Sequence, residues 1–272
     1  MEKRFIVLVD FSDYSAGLVR FAADWSTKVK ASIVLVHQTI VLAPGMLDNE
    51  TKQQFADDDN NNALHQLRKL ADAFVPPTVK VSYSVSESHL ENTLNELLAE
   101  PFNHLIFTGI KGTGLLKKIF LGSVALQVIE NINNVVVAIP KGVSSFEHTR
   151  AYIAVSEDHP LNYFELNKFL GFVGSRIMQL TFFHLAQPAD QKAEIEESLA
   201  KVAALFADRF QTEVAVYEEA DAIEGIKNII SNKHEEMLVV QRGSRLLTDQ
   251  LFRRLLINEL VYEGQTPLVV IP

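Results

Sequence analysis

Hydrophobic positions follow two rhythms along this chain. The unbroken apolar run from Phe5 to Val9 suits a strand covered on both faces, as in a parallel sheet. Residues 14–28 then place Leu18, Phe21, Ala22 and Trp25 at spacings of three and four, the stripe of an amphipathic helix, with Ser12 and Asp13 as capping candidates. A second strand is predicted at Ile33–Val36. Further on, Leu64, Leu67, Leu70, Ala71 and Phe74 repeat the helical stripe, and "VKVSYSV" at 79–85 alternates with period two. Leu90, Leu94, Leu97 and Leu98 mark a third helix, Leu105–Phe107 a fourth strand, Val124–Ile132 a fourth helix and Val135–Ile139 a fifth strand.

Strands and helices in strict alternation imply crossover helices on both faces of a mostly parallel sheet, with right-handed connections. The predicted fold class is therefore α/β: a doubly wound, five-stranded parallel sheet of order 3-2-1-4-5. This pattern occurs twice. "NNVVVAIP" at 133–140 and "QTPLVVIP" at 265–272 end the two halves alike, 132 residues apart, and "RFIVLVD" from Arg4 matches "RAYIAVS" from Arg150. Two tandem domains are expected, at 1–143 and 149–272, with the polar stretch "KGVSSFEHT" at 141–149 as their linker.

Composition narrows the function classes. A chain of 272 residues, 47% apolar, can fill two ordinary cores. Its net charge of −9 argues against a surface built to wrap nucleic acid. Without cysteine there is no disulfide framework, thiolate zinc site or cysteine nucleophile. The first apolar run is too short for a signal-peptide core and no later one approaches a membrane span, so a cytoplasmic protein with no membrane partner is expected.

In doubly wound sheets ligands bind beyond the carboxyl ends of the strands, where the winding reverses. Two segments lie there: "DFSDYS" after the first strand and "TGIKGTGLLKKIFLGS", residues 108–123, after the fourth. The latter spaces Gly109, Gly112 and Gly122 as G-x2-G-x9-G and sets Ser123 just before an apolar helix beginning at Val124. Unpaired amides at a helix N-terminus favour anions, and glycine permits close backbone approach, so the pattern suits a phosphate cradle aided by Lys111, Lys117 and Lys118. Glycines also gather in surface loops for turn geometry alone, and spacing by itself does not separate the two readings.

Other chemistry finds less support. Neither a Walker loop nor a dinucleotide G-x-G-x-x-G is present. "LGSVA" at 121–125 does not contain the G-x-S-x-G of a nucleophile elbow, and no histidine and acid placement supports a triad, which leaves Ser123 as a ligand rather than a nucleophile. No histidine pair has metal-binding spacing, and His37 and His184 recur at the same strand-end place, which suggests packing or hydrogen bonding. The run "DDDNNN", 57–62, lacks the pattern of a calcium loop and reads as a solvated lead-in to a helix.

Taken together, Asp10 in "VLVDFS", a second strand ending in His37, and G-x2-G-x9-G-S resemble the universal stress protein family. The resemblance implies a tandem pair of such domains and, for the first, ATP as ligand. Asp10 matches the acidic position near adenine and ribose, and Gln38 stands where the family often has a valine against the base. Gly109, Gly112, Gly122, Ser123 and Val124 match the phosphate loop, with Mg²⁺ held mainly by the phosphates. In the family the last strand pairs across a dimer, which implies an internal pseudo-dimer here and leaves a further homodimer open by analogy.

The implied function is a stress-response protein acting as a nucleotide-dependent sensor or regulator, with no catalytic residue assigned. The alternatives are a slow ATPase or phosphoryl-transfer enzyme and a nucleotide-independent interaction module. The second copy departs from the pattern. Ser156 replaces Asp10, while Gln241, Ser244, Arg254 and Leu255 replace Gly109, Gly112, Gly122 and Ser123. It is expected to be a scaffold.

Overall fold

A computed structural model describes residues 1–40, 48–110, 123–156, 160–186, 190–218, 235–244, 247 and 265–272. The chain is α/β, and its described residues group into two compact units: Met1–Gly109 with Ser144–Phe146, and Ile110–Val143 with Glu147–Pro272.

The first unit holds β1 (Glu2–Leu8), α1 (Ser15–Val29), β2 (Ser32–Gln38), α2 (Asn49–Phe74), β3 (Val81–Ser86), α3 (Leu90–Leu98) and β4 (Phe102–Gly109). Its strands run parallel in the order β3-β2-β1-β4, in the register Ile6↔Val34 and Ile6↔Ile106. Phe5–Val7 and Leu105–Phe107 are fully buried, as covering helices on both faces of a parallel sheet require. Helix α1 buries Leu18, Phe21, Ala22 and Trp25, the predicted stripe, and also Val19 and Ala23.

Two local expectations are overturned. Neither Ser12 nor Asp13 caps α1: the N-cap is Tyr14, without a side-chain cap bond, because the Ser12 hydroxyl is drawn back to Asp10 at 2.6 Å. The acidic run 57–62 is no lead-in, since α2 begins at Asn49 behind an Asp48 cap that accepts from the Thr51 amide at 2.8 Å. Ala56, Ala63, Leu67 and Ala71 carry a buried stripe straight past Asp57, Asp58 and Asp59, which lie exposed on the outer face.

The predicted linker is also more than a connector. Phe146 is fully buried, its ring stacked on Trp25 at 4.0 Å between centroids and 1° between planes. Around that stack, Asp24 Oδ2 accepts from the Phe146 amide at 2.7 Å, and Lys28 Nζ donates to the Phe146 carbonyl at 2.6 Å. Phe5, Phe21 and Phe107 complete the aromatic cluster around Trp25.

The second unit holds α4 (Ser123–Asn131), β5 (Val136–Ile139), β6 (Arg150–Ala154), α5 (Tyr163–Val173), β7 (Gln179–Ala186), α6 (Lys192–Ala204), β8 (Gln211–Glu218), β9 (Glu236–Gln241) and β10 (Leu268–Ile271). Its strand order is β5-β10-β9-β6-β7-β8. From β8 to β10 the strands are parallel and stand in the predicted 3-2-1-4-5 arrangement. β5 joins this unit because it pairs antiparallel with β10, Val269 facing Val137.

Candidate functional site

The site is built where β2, β1 and β4 end side by side. β1 sits between the other two, so Asp10, Gln38 and Gly109 come from neighbouring strand ends. The chain leaves β1 through a short extension, the Val9 amide donating to the Val36 carbonyl at 2.8 Å, and then turns sharply at Phe11. Phe11 has φ of +56°, a left-handed conformation that costs a bulky residue about 1–2 kcal/mol. Its ring lies 4.3 Å from that of His37 between centroids.

Hydrogen bonds fix both polar groups at this turn. His37 Nδ1 donates to the Val9 carbonyl at 2.7 Å, and because a carbonyl only accepts, the neutral ring carries its hydrogen on Nδ1. Oδ1 of Asp10 accepts from the Ser12 amide (3.0 Å), the Ser12 hydroxyl (2.6 Å) and the Ser15 hydroxyl (3.0 Å). These three donors orient an exposed carboxylate at the strand end, while Ser15 itself is buried. Gln38, half-buried, closes β2, and beyond it Thr39 Oγ1 donates to Asn60 Oδ1 at 2.6 Å. Asn60 Nδ2 then donates to Glu87 Oε1 at 2.9 Å, tying α2 to the segment after β3.

Gly109, at the end of β4, has none of the usual structural reasons to be glycine. Its φ is not positive, and a Cβ placed on it would meet only the Tyr14 Cβ at 3.7 Å, an ordinary contact. Among the described residues, neither backbone conformation nor packing calls for a missing side chain there. Gly112 and Gly122, with Lys111, Lys117 and Lys118, lie outside the described residues. Ser123 is the first residue of α4, and Val124 in its first turn is 43% exposed. Both belong to the second unit, whereas Asp10, Gln38 and Gly109 belong to the first.

Sequence reasoning missed Phe11, Ser15, Thr39, Asn60 and Glu87. The clue for Ser15 was its place five residues after Asp10. For Asn60 there was no clue, because its role depends on how α2 lies over the strand ends.

The corresponding strand ends of the second unit keep the skeleton and change the side chains. The Val155 amide donates to the Phe183 carbonyl at 2.8 Å, and His184 Nδ1 donates to the Val155 carbonyl at 2.8 Å, repeating the Val9 and His37 contacts. The Arg242 amide donates to the Ile271 carbonyl at 2.8 Å, as Ile110 does to Ile139 at 3.0 Å. At the place of Gly109, however, Gln241 projects a side chain whose Oε1 accepts from the Asn162 amide at 3.0 Å. Its Nε2 donates to the Pro272 carbonyl at 2.6 Å, which also accepts from Asn162 Nδ2 at 3.1 Å. The wall that glycine leaves open is closed here by a glutamine. Ser156 is half-buried and Ser244 buried, while Arg254 and Leu255 lie outside the described residues.

Among the described residues no helix is long and apolar enough to cross a membrane. The chain is similar in fold to a universal stress protein from Archaeoglobus fulgidus, 14% identical, with a TM-score of 0.69 over 98% of this chain and 97% of that one. It is also similar to a functionally unknown protein from Pseudomonas aeruginosa, 14% identical, with a TM-score of 0.56 over 100% of this chain and 92% of that one. At such identity the likeness shows the fold alone. No curated protein matches the chain. The sequence model of the universal stress protein family matches residues 1–140, more than half the length, and the chain belongs to that family.

Proposed function

We propose that the chain binds ATP at the ends of β1, β2 and β4 and acts in the stress response as a nucleotide-dependent regulator. Membership of the family supports the stress-response role. The nucleotide reading rests above all on Gly109, a glycine that its own fold does not require and that a closely approaching ligand would. In this reading Asp10, oriented by three donors, accepts from the ribose hydroxyls or the base, and Gln38 lies along the base. Gly109, Gly112, Gly122, Ser123 and Val124 hold the phosphates through backbone amides and the α4 N-terminus, with Mg²⁺ bound mainly by phosphate oxygens. The bound nucleotide supplies negative charge that this loop recognises, and binding stabilises the nucleotide-bound state by mass action.

We further propose that the two halves are family domains in tandem, that the antiparallel β5–β10 pairing is their internal pseudo-dimer contact, and that the protein works in the cytoplasm. Calorimetric titration of ATP tests the nucleotide reading. Binding is expected in wild type and at least about tenfold weaker in Gly109→Gln, which copies Gln241, and in Gly122→Arg, which copies Arg254. Absence of binding in wild type, or equal binding in all three, would overturn it. An ATP pool left intact after long incubation is expected, and steady release of ADP would move the function to the enzymatic alternative.

A further inference from the structure

We propose that Arg242, from the later half of the sequence, is a positioning residue for the nucleotide: it holds α4 by the C-terminal end and so fixes where that helix presents its N-terminal amides. Helix α4 has nine residues, about 14 Å from end to end. A helix so short is marginal by itself, and its place depends on what holds it. Ala125, Val128 and Ile129 bury one face, and Ile132, just past the last turn, is buried too. The last turn has no basic residue of its own. Arg242, at the exit from β9, supplies one: its Nη1 donates to the Ile132 carbonyl at 3.0 Å and its Nη2 to Asn133 Oδ1 at 3.3 Å. A cation there also complements the partial negative charge of a helix C-terminus.

The strand end that Arg242 occupies does not itself call for an arginine. Ile110, 132 residues earlier, makes the same backbone bond, its amide donating to the Ile139 carbonyl as that of Arg242 does to Ile271. Yet Ile110 is fully buried, whereas Arg242 is half-buried and sends its guanidinium to the end of α4. A second cation acts on the same turn. Lys168 Nζ, from α5, donates at 3.2 Å to Asn134 Oδ1, the oxygen that also accepts from the Val135 amide at 2.7 Å. The Asn134 amide in turn donates at 3.0 Å to the Ile132 carbonyl, the oxygen that Arg242 holds. Arg242 and Lys168 thus fasten the turn between α4 and β5. The half of the sequence that lost the glycine pattern thereby acts on the helix that follows it in the other half.

Arg242 acts in this way only if the first turn of α4 is the phosphate end of the site, the reading proposed for the chain. Without the clamp a smaller fraction of molecules holds α4 in the binding-competent place, and the apparent affinity falls with that fraction. Arg242→Ala in the full chain is expected to weaken ATP binding about fivefold by calorimetric titration and to leave adenosine, which has no phosphate, unchanged by saturation-transfer NMR. Arg242→Lys, which keeps the charge and loses the fork, is expected to fall between wild type and Arg242→Ala. In the nucleotide-free protein, amides of residues 124–132 are expected to exchange faster in Arg242→Ala, read by mass spectrometry, while those of β1 keep their wild-type rates and a melting curve shows the variant folded. Unchanged ATP affinity in Arg242→Ala, a loss shared equally by adenosine, or unchanged exchange over 124–132 would overturn the proposal. Absence of ATP binding in wild type would instead overturn the nucleotide reading, and the role of Arg242 with it.

Discussion

Gly109 and Gln241 close equivalent strands, one with no side chain and the other with an amide that makes two hydrogen bonds. Around them the backbone contacts are almost superposable: the strand-end histidines donate to Val9 and Val155 at 2.7 and 2.8 Å, and the exits from β1 and β6 bond the next strand at the same length. The difference separates two kinds of requirement. Main-chain bonds at a strand end are obligatory, because a buried unpaired amide or carbonyl is costly, and they persist in both halves. The side chains just beyond the strands carry no such obligation, and they differ: Asp10 against Ser156, and glycine against glutamine.

The cores diverge as well, and there the largest effect is expected. Phe5 and Phe107 stand where β6 and β9 have Ala151 and Val239, and the first unit fills its aromatic cluster with Phe146 from outside its strands. Phe146→Ala should therefore destabilise the first unit by about 3–5 kcal/mol. Urea unfolding followed by Trp25, the chain's one tryptophan, reads this directly, and a shift below 1 kcal/mol would show that the stack contributes little.

A second difference lies at the opposite ends of the same strands. His104 faces Arg4 in β4, and at the equivalent register Glu236 faces Arg150 in β9. Glu236 is 1% exposed, and burial, reinforced by the neighbouring Glu235 charge and opposed by Arg150, pushes its carboxyl up to about 7. The folded state thus holds a proton that the unfolded chain releases near the ordinary glutamate value. Stability from this group is greatest at low pH and falls as pH rises from about 4.5 to about 7, by roughly 2–3 kcal/mol. Glu236→Gln should flatten that part of the profile, measured as denaturation midpoints at pH 5 and pH 8. An unchanged slope would assign it to other groups.

The smallest effect concerns the amide itself. Gln241→Gly removes its bonds to Asn162 and Pro272 and should cost about 1–2 kcal/mol. The reverse change, Gly109→Gln, should cost the fold much less, since among the described residues a Cβ at Gly109 meets only the Tyr14 Cβ, at an ordinary 3.7 Å. Thermal unfolding of the pair without nucleotide measures the asymmetry. Equal losses would mean that Gly109 is a structural glycine after all.

Much of this architecture is legible in the sequence because buried parallel strands and amphipathic helices leave unambiguous periodicities. Leu90–Leu98 is a helix with the bounds its leucines suggest, and the β6–β10 strands take the order that the alternation predicts. The first half of α2 was unreadable because its buried face is alanine, Ala56 and Ala63, which gives little hydropathic contrast beside three aspartates. Phe146 was hidden by its polar neighbours, for a single apolar residue has no period. At the candidate site, glycine spacing singled out Gly109 and the family resemblance pointed to Asp10, whereas the bonds from Ser15 to Asp10 and from Thr39 through Asn60 to Glu87 depend on tertiary placement.

The stack of Phe146 on Trp25 also bears on how the first half can be handled as a fragment. Hydropathy recommends a boundary near residue 143, inside the polar stretch. A fragment cut there would lose Phe146 and uncover one face of Trp25, among the largest fully buried side chains in the protein. It would also strip Asp24 and Lys28 of their main-chain partners. Such a fragment presents a new aromatic patch to its neighbours and invites aggregation, so a boundary chosen for solubility must run past Phe146.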